Sequence, residues 1–336
     1  MTTQYEPPFK ITAGIVSLIS EISEMLGRLA ILEELSQSVR LRRINKIRTI
    51  QGSLAIEGNT LSLEQITAIL NGKRVLAPPR EILEVKNAIK VYERFLDWQP
   101  YAKEDLLAAH ELLMSGLLDK PGQYRTSGVG VMSGEVVVHL APSADRIRYL
   151  MNDLLDWLKT TNQHPLISSS VFHCEFEFIH PFADGNGRMG RLWQTLILSR
   201  WNPFFANIPV ESIIYENQQE YYQALNKSTA NGESSVFIEF MLNVIRDTVK
   251  AQITPEVAPQ DTPEVSKLII TLDGEMSRKE ILLKLNLKDE KHLRQAYLHP
   301  AMDAGLIEMT KPDKPNSSLQ KYRLTANGWQ LKQSFI

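Results

Sequence analysis

Cysteine is almost missing from this 336-residue chain: Cys174 is its one thiol, so no disulfide can close within it, which fits a reducing compartment. Long apolar runs are missing as well. No stretch approaches the ~18–20 apolar residues of a membrane span. The first residues, Met1-Thr2-Thr3-Gln4-Tyr5-Glu6-Pro7-Pro8, lack a basic region followed by a long apolar segment. Charge of either sign is not in surplus: 37 Lys and Arg against 39 Asp and Glu give a net charge of −2. That balance excludes a global pull towards nucleic acid or an anionic membrane. A soluble, cytoplasmic protein with no membrane partner is expected. What is there is a 43% hydrophobic content, enough for two or three domains with cores of their own.

Polar chemistry is concentrated in one run, His180-Pro181-Phe182-Ala183-Asp184-Gly185-Asn186-Gly187-Arg188-Met189-Gly190-Arg191. The apolar segments before it (Val171 to Ile179) and after it (Leu192 to Leu198) read as buried helices, so the run is a tight loop that opens the second helix. Gly185 and Gly187 allow successive N–H groups to turn inward as an anion nest, and a helix N-terminus adds partial positive charge. Arg188 and Arg191 are i, i+3 on one face, and their planar forks suit phosphate oxygens. Asp184 is a hard oxygen ligand of the kind that holds Mg²⁺ together with substrate phosphates. His180 has the residue type to accept a hydroxyl proton near neutral pH. Together these residues point to a nucleotidyl or phosphoryl transferase acting on an incoming hydroxyl. His173, two helical turns before His180, reads as a core or supporting histidine, and Cys174 as a small buried apolar residue.

The run resembles the signature of Fic-domain proteins, His-Pro-Phe-x-[Asp/Glu]-Gly-Asn-Gly-Arg-x-x-Arg, at every defined position. The resemblance implies transfer of AMP from ATP to a Ser, Thr or Tyr hydroxyl of a target protein and of the chain itself. It implies His180 as general base, Asp184 as Mg²⁺ ligand, and Gly185, Asn186 and Gly187 as the phosphate nest. Arg188 would hold the β-phosphate side and Arg191 the γ-phosphate. A kinase-like branch of the family carries Lys where this chain has Gly187, which favours nucleotide transfer over phosphorylation.

Upstream, Ser53-Leu54-Ala55-Ile56-Glu57-Gly58-Asn59 follows a stretch with apolar residues at helical spacing, and Gly58 suits a helix stop. It resembles the family's inhibitory motif, [Ser/Thr]-x-x-x-Glu-[Gly/Asn]. By that resemblance Glu57 would pair with Arg191 and occupy the γ-phosphate site, making the chain auto-inhibited. Val-rich arms around Met132-Ser133-Gly134-Glu135 read as a short hairpin. In the family this is a flap, here about residues 129–141, on which the target's segment docks by strand addition. Tyr222, in the helix expected after the signature, is the candidate for contact with adenine. A second copy of the chain, as a homodimer, is among the partners the resemblance leaves open.

The expected fold is mainly α: a Fic helical bundle with a short β-hairpin flap, plus a small C-terminal winged-helix domain. Residues 1–102 form an N-terminal helical region with the inhibitory helix, broken at Asn71-Gly72 and Pro78-Pro79. Residues 103–252 form the Fic core. Three prolines across residues 253–263 mark a linker. In residues 264–336, Ser277-Arg278-Lys279-Glu280 starts a helix that turns at Asn286. A second helix runs from Glu290 to Leu298, and strands near Glu308-Met309-Thr310 and Lys321 to Thr325 flank a loop with Lys311, Lys314, Asn316 and Ser317. This resembles a winged helix, a fold that can bind DNA. Its 12 Lys and Arg against 9 Asp and Glu are no strong basic footprint, so DNA and protein contact both stay open. The alternative functions are a DNA-binding regulator with a nucleotide-sensing core, a de-AMPylase, and a transferase of another nucleotide.

Overall fold

A computed structural model describes residues 5–35, 39–128, 130–133, 136–253, 263–287, 289–311, 317 and 319–334. The chain forms two compact units, residues 1–253 and 254–336. Most of the expected linker (254–262), Val129, the flap tip Gly134-Glu135, and Lys314 and Asn316 lie outside the described residues.

The first unit is built around α7 (Pro165–Ile179) and α8 (Asn186–Trp201), which pack on each other. Both are buried on nearly all sides, with Leu166, Val171, Phe172, Phe176, Met189, Trp193 and Leu196 among their apolar core residues. Trp193 stacks on Trp98, ring centres 6.2 Å apart, and its indole N–H donates to the Pro100 carbonyl at 2.7 Å. The other helices wrap this pair. In chain order they are α1 (Ala13–Leu35), α2 (Val39–Ile56), α3 (Leu63–Leu70), α4 (Pro79–Arg94), α5 (Lys103–Met114) and α6 (Ile147–Thr160). After α8 come α9 (Val210–Glu216), α10 (Gln218–Asn231) and α11 (Ser235–Ile253). Helix α1 lies on α11, α2 on α9, α4 on α5 and α6 on α7.

Local sequence sets the helix ends that matter for the site. Pro165 opens α7 behind His164, whose side chain accepts from the Leu166 N–H. Ser62 and Gln65 close a capping box on α3, Asn71-Gly72 end it, and Pro79 starts α4. Helix α2 ends at Ile56; the Asn59 N–H folds back to the Leu54 carbonyl, leaving Glu57 at the tip. The hairpin is β1 (Gly130–Ser133) against β2 (Val136–Leu140), antiparallel, with a register shift between Val131 and Met132. Strand β2 passes alongside α10.

The second unit holds α12 (Pro263–Thr271), β3 (Met276–Ser277), α13 (Arg278–Lys284), α14 (Glu290–His292) and α15 (His299–Asp303). It continues with β4 (Ile307–Met309), β5 (Lys321–Leu324) and α16 (Ala326–Ser334). A π-helical stretch, Leu293–Leu298, joins α14 to α15, so the second helix extends past Leu298. Ser277 and Glu280 form a capping box at the start of α13, and Asn286 turns its end with φ 54°. The sheet order is β3-β5-β4, antiparallel throughout. Its core is Val265, Leu268, Leu272, Ile281, Leu293, Leu298, Ile307 and Tyr322.

Each unit closes a core of its own. A chain ending at residue 261 should therefore keep a helical far-UV spectrum and one cooperative thermal transition. Insolubility or loss of cooperativity in the shortened chain would mean that its core needs the second unit.

Candidate active site

The site is the turn between α7 and α8. His180 closes α7 in the left-handed region (φ 50°, ψ 61°), a conformation a non-glycine residue holds only when its surroundings fix it. Its N–H donates to the Phe176 carbonyl at 2.9 Å, and its side chain is 18% exposed. Phe182 is buried beneath the loop and stacks face to face on the His110 ring, centres 3.6 Å apart. Asn186 clasps the turn: its Oδ1 accepts from the Phe182 N–H and its Nδ2 donates to the Phe182 carbonyl, both at 2.9 Å. The Asn186 side chain is thereby spent inside the loop. Gly185, at φ 85°, starts α8 in a conformation suited to glycine, and its N–H donates to Asp184 Oδ1 at 2.6 Å.

Around this turn arginines and carboxylates alternate. Asp184 faces outward, 40% exposed, with Oδ1 3.1 Å from Arg188 Nη2 and Oδ2 3.3 Å from Arg80 Nη2. Arg188 is 6% exposed and also lies 3.8 Å from Glu84 on α4, while its buried Nε has no hydrogen-bond partner among the described residues. Glu84 accepts from Asn59 Nδ2 at 2.9 Å, which ties α4 to the end of α2.

Arg191 is 1% exposed. Its Nη2 donates to Glu57 Oε1 at 2.6 Å and to the Ser53 carbonyl at 3.0 Å, and its Nε donates to the Ser53 hydroxyl at 3.3 Å. Burial opposes its charge, yet the Glu57 carboxylate with Tyr221 and Glu177 outweighs that and raises its pKa. The same Glu57 oxygen presses onto Gly187, where a Cβ would lie 2.3 Å from it. Only glycine admits a carboxylate so close to the N-terminus of α8. Tyr222 is 42% exposed, and its hydroxyl donates to the Ile56 carbonyl at 3.4 Å, beside the same helix tip. Its neighbour Tyr221 is buried, leaving Tyr222 as the ring open to a ligand there.

Beneath the loop lie buried ionisable groups. His173 has Nδ1 2.6 Å from Gln194 Oε1 and Nε2 3.1 Å from the Tyr221 hydroxyl; burial lowers its pKa to about 3, so it is neutral and part of the core. Burial raises the Cys174 thiol, which makes it unreactive. Glu177 lies between the two histidines, 3.9 Å from His173 Nε2 and from His180 Nδ1, and burial raises it to about 8. Glu211 accepts from Thr195 at 2.9 Å and Tyr92 at 3.3 Å and is raised by burial to about 7.

Sequence reasoning brought His180, Asp184, Gly185, Asn186, Gly187, Arg188, Arg191 and Glu57 to one place, and they do meet there. It missed Arg80, Glu84, His110, Arg125 and Glu177. His110 Nδ1 accepts from the Gly122 N–H at 2.8 Å, so its Nε2 carries the proton and donates to the Asp184 carbonyl at 3.0 Å. Burial lowers its pKa to about 4 and keeps it neutral. Arg125 reaches the carbonyl of His180 itself, at 2.7 Å. The one hint in the sequence was Gly122-Gln123-Tyr124-Arg125 directly before the flap.

Comparison with known proteins agrees with this geometry. Residues 100–198 match the Fic/DOC family, and residues 263–325 match the C-terminal domain of Fic-like proteins (filamentation induced by cAMP). A crystal structure of a Fic family protein from Desulfovibrio desulfuricans is 53% identical, covering 96% of this chain and 99% of that one, with a TM-score of 0.74. The chain belongs to the Fic family. Among curated relatives of this Fic chain, the protein adenylyltransferase Fic of Nematostella vectensis is 29% identical over 61% of this chain and 48% of its own length. The protein adenylyltransferase fic-1 of Caenorhabditis elegans is 30% identical over 62% and 42%. The chain thus spans about half the length of the curated relatives it matches. Among the described residues no helix is long and apolar enough to cross a membrane.

The buried carboxyl predicts a pH dependence. Glu177 is raised by burial from 4.5 to about 8, so its contribution to stability is full below the lower value and lost as pH rises through the upper. Relative to Glu177→Gln, the wild type should lose on the order of a few kcal/mol between pH 5 and pH 8. Urea melts of both proteins across that range measure it. A difference that stays flat would mean that water reaches the carboxyl.

Proposed function

We propose that this chain is a protein adenylyltransferase that moves AMP from ATP to a Ser, Thr or Tyr hydroxyl of a target protein and of itself, and that Glu57 holds it inactive. The observation that carries the reading is the Glu57 carboxylate, an anion seated on Gly187 and Arg191 at the N-terminus of α8. An anion already occupies the place where a phosphate belongs. His180, at the mouth of the same turn, supplies the base. Gly187 in place of the kinase-like branch's Lys supports transfer of the nucleotide.

In the reaction the target hydroxyl oxygen bonds to the α-phosphorus, the bond from that phosphorus to the bridging oxygen breaks, and pyrophosphate leaves. The hydroxyl proton goes to His180 Nε2, the ring nitrogen opposite the one facing Glu177. Arg188 holds the β-phosphate side and Arg191 the γ-phosphate, each a planar fork suited to phosphate oxygens. Asp184 suits Mg²⁺: it is a hard, half-exposed carboxylate, and among the described residues no cluster of three or more ligand side chains offers an all-protein cage. When bound with the phosphates, the ion would offset their charge. Before it binds, Arg80 and Arg188 satisfy that carboxylate. The flap receives the target by strand addition, in which backbone pairing is tolerant of sequence. Tyr222 is the ring we assign to adenine, on the support of its exposure beside Glu57. A winged-helix role for residues 264–336 goes with this proposal, supported by α13, α14–α15 and the β4–β5 hairpin.

Auto-inhibition follows from competition for one guanidinium. Arg191 holds Glu57 through Nη2, the γ-phosphate would compete with that carboxylate for the same guanidinium, and about 1.4 kcal/mol of preference is a tenfold change in occupancy. Glu57→Gly should raise self-labelling from α-labelled ATP and Mg²⁺ by tens-fold or more. It should also lower the melting temperature without nucleotide and enlarge the upward shift that ATP produces, because the buried cation has lost its partner. Labelling that stays at the wild-type level under saturating ATP would refute the inhibitory reading.

His180→Ala, made in the Glu57→Gly chain, should abolish labelling while leaving ATP affinity within a few-fold, since the imidazole acts on the hydroxyl and not on phosphate. Parallel loss of binding and transfer, read by calorimetry beside labelling, would make His180 a structural residue instead.

A further inference from the structure

We propose that Arg125 is a positioning residue for His180, and that through it the two flanks of the flap and the histidine form one mechanical unit. The inference rests on the adenylyltransferase reading for its kinetic consequence and on geometry for everything else. Arg125 is 5% exposed, and burial lowers its pKa. Among the described residues no carboxylate pairs with it; backbone carbonyls solvate its charge instead. Its Nε donates to the His180 carbonyl at 2.7 Å and its Nη1 to the Ser127 carbonyl at 2.7 Å. Its Nη2 donates to the Pro142 carbonyl at 2.6 Å and, more loosely, to the Ile179 carbonyl at 3.4 Å. Its own N–H donates to the Pro181 carbonyl at 2.9 Å.

Two groups of acceptors meet on this one residue. Ile179 is the last residue of α7, and His180 and Pro181 follow it directly. Ser127 and Pro142 lie just before β1 and just after β2. The His180 backbone sits in the left-handed region, which is unfavourable for a non-glycine residue, so something must hold it. Arg125 holds its carbonyl while the Phe176 carbonyl holds its N–H. Those two bonds hold the backbone of His180, and with it the direction in which its Cα–Cβ bond leaves the chain. A displacement of about 1 Å at a reacting group can cost ~100-fold in rate, so a fixed carbonyl here matters to the base and little to the nucleotide. A strand added to the flap would stiffen the carbonyls of Ser127 and Pro142, and the guanidinium would pass that stiffness to His180.

Lysine cannot replace this arrangement. Its three donors radiate from one nitrogen, whereas the guanidinium presents a rigid fork that reaches carbonyls on both sides. Arg125→Lys and Arg125→Gln, each made in the full-length Glu57→Gly chain, test the proposal. We expect kcat for self-labelling to fall at least tenfold in both, with KM for ATP within twofold and melting temperature within a few degrees. In ¹⁵N-histidine-labelled protein the His180 ring resonances should move while those of His173 stay. A folded variant with unchanged kcat overturns the proposal, as does a rise in KM that matches the loss in kcat. Failure of both variants to fold would also overturn it, in favour of a structural role alone. If the Glu57→Gly chain itself labels nothing, the adenylyltransferase reading fails separately. The ring resonances then decide for Arg125, and unmoved His180 signals sink it.

Discussion

The Arg191 guanidinium is 1% exposed, and the anion that offsets its buried charge is Glu57. An unpaired charge in such a place costs several kcal/mol, far more than one exposed ion pair is worth. The requirement fixes how α2 meets α8. Ser53 gives Arg191 its hydroxyl and carbonyl from the last turn of α2, and Glu57, the residue just past its end, gives it a carboxylate. Gly187 leaves room for that carboxylate, which lies where a Cβ would stand. What the core demands of Arg191 is an anion, with no preference for the chain that carries it. On the proposed function a γ-phosphate would meet the same demand.

The turn that carries His180 and Asp184 is held by a different set of groups, all acting on backbone. Arg125 takes the His180 carbonyl, His110 takes the Asp184 carbonyl, and Asn186 bonds both polar groups of Phe182. Three side chains thus pin the main chain at 180, 182 and 184. The His110 and Arg125 anchors meet in one short segment, since the Gly122 N–H fixes the His110 tautomer and Arg125 follows three residues later. A loop set in this way is rigid before any ligand arrives, which is the condition for electrostatic preorganisation.

The division between what could be read from the sequence and what could not follows the same line. The run from His180 to Arg191 is local, and its glycines, carboxylate and arginines carry their chemistry in their spacing. Glu57 lies 134 residues from Arg191, and only its short motif made it legible. His110 and Arg125 lie 74 and 55 residues from the carbonyls they hold. They act on backbone, which leaves no complementary residue type to search for. Arg80 and Glu84 carry no local signal of a site role, and only the fold sets them against Asp184 and Arg188. In the second unit, Ser277-Glu280 and Asn286 announced α13, because caps and left-handed turns have fixed residue preferences. The two-residue strand β3 had no pattern to show, since its pairing with β5 is set from the other side of the sheet.

Charge balance links these layers. Arg80, Arg188 and Arg191 face Asp184, Glu84 and Glu57, with Glu177 beneath them as a further carboxyl. Burial is the main reason that Glu177 keeps its proton, Arg191 works against it, and the Glu57 charge adds to it. A γ-phosphate in place of Glu57 would bring at least as much negative charge to the same spot. Glu177 would then stay neutral in either state, and Arg191 would not be drawn towards it in the interval between one anion and the next. A charged Glu177 would offer Arg191 a permanent partner inside the core and make both Glu57 and phosphate redundant. Burial thus keeps the Glu177 carboxyl out of the competition, and on the proposed function this leaves Arg191 to exchange one anion for another.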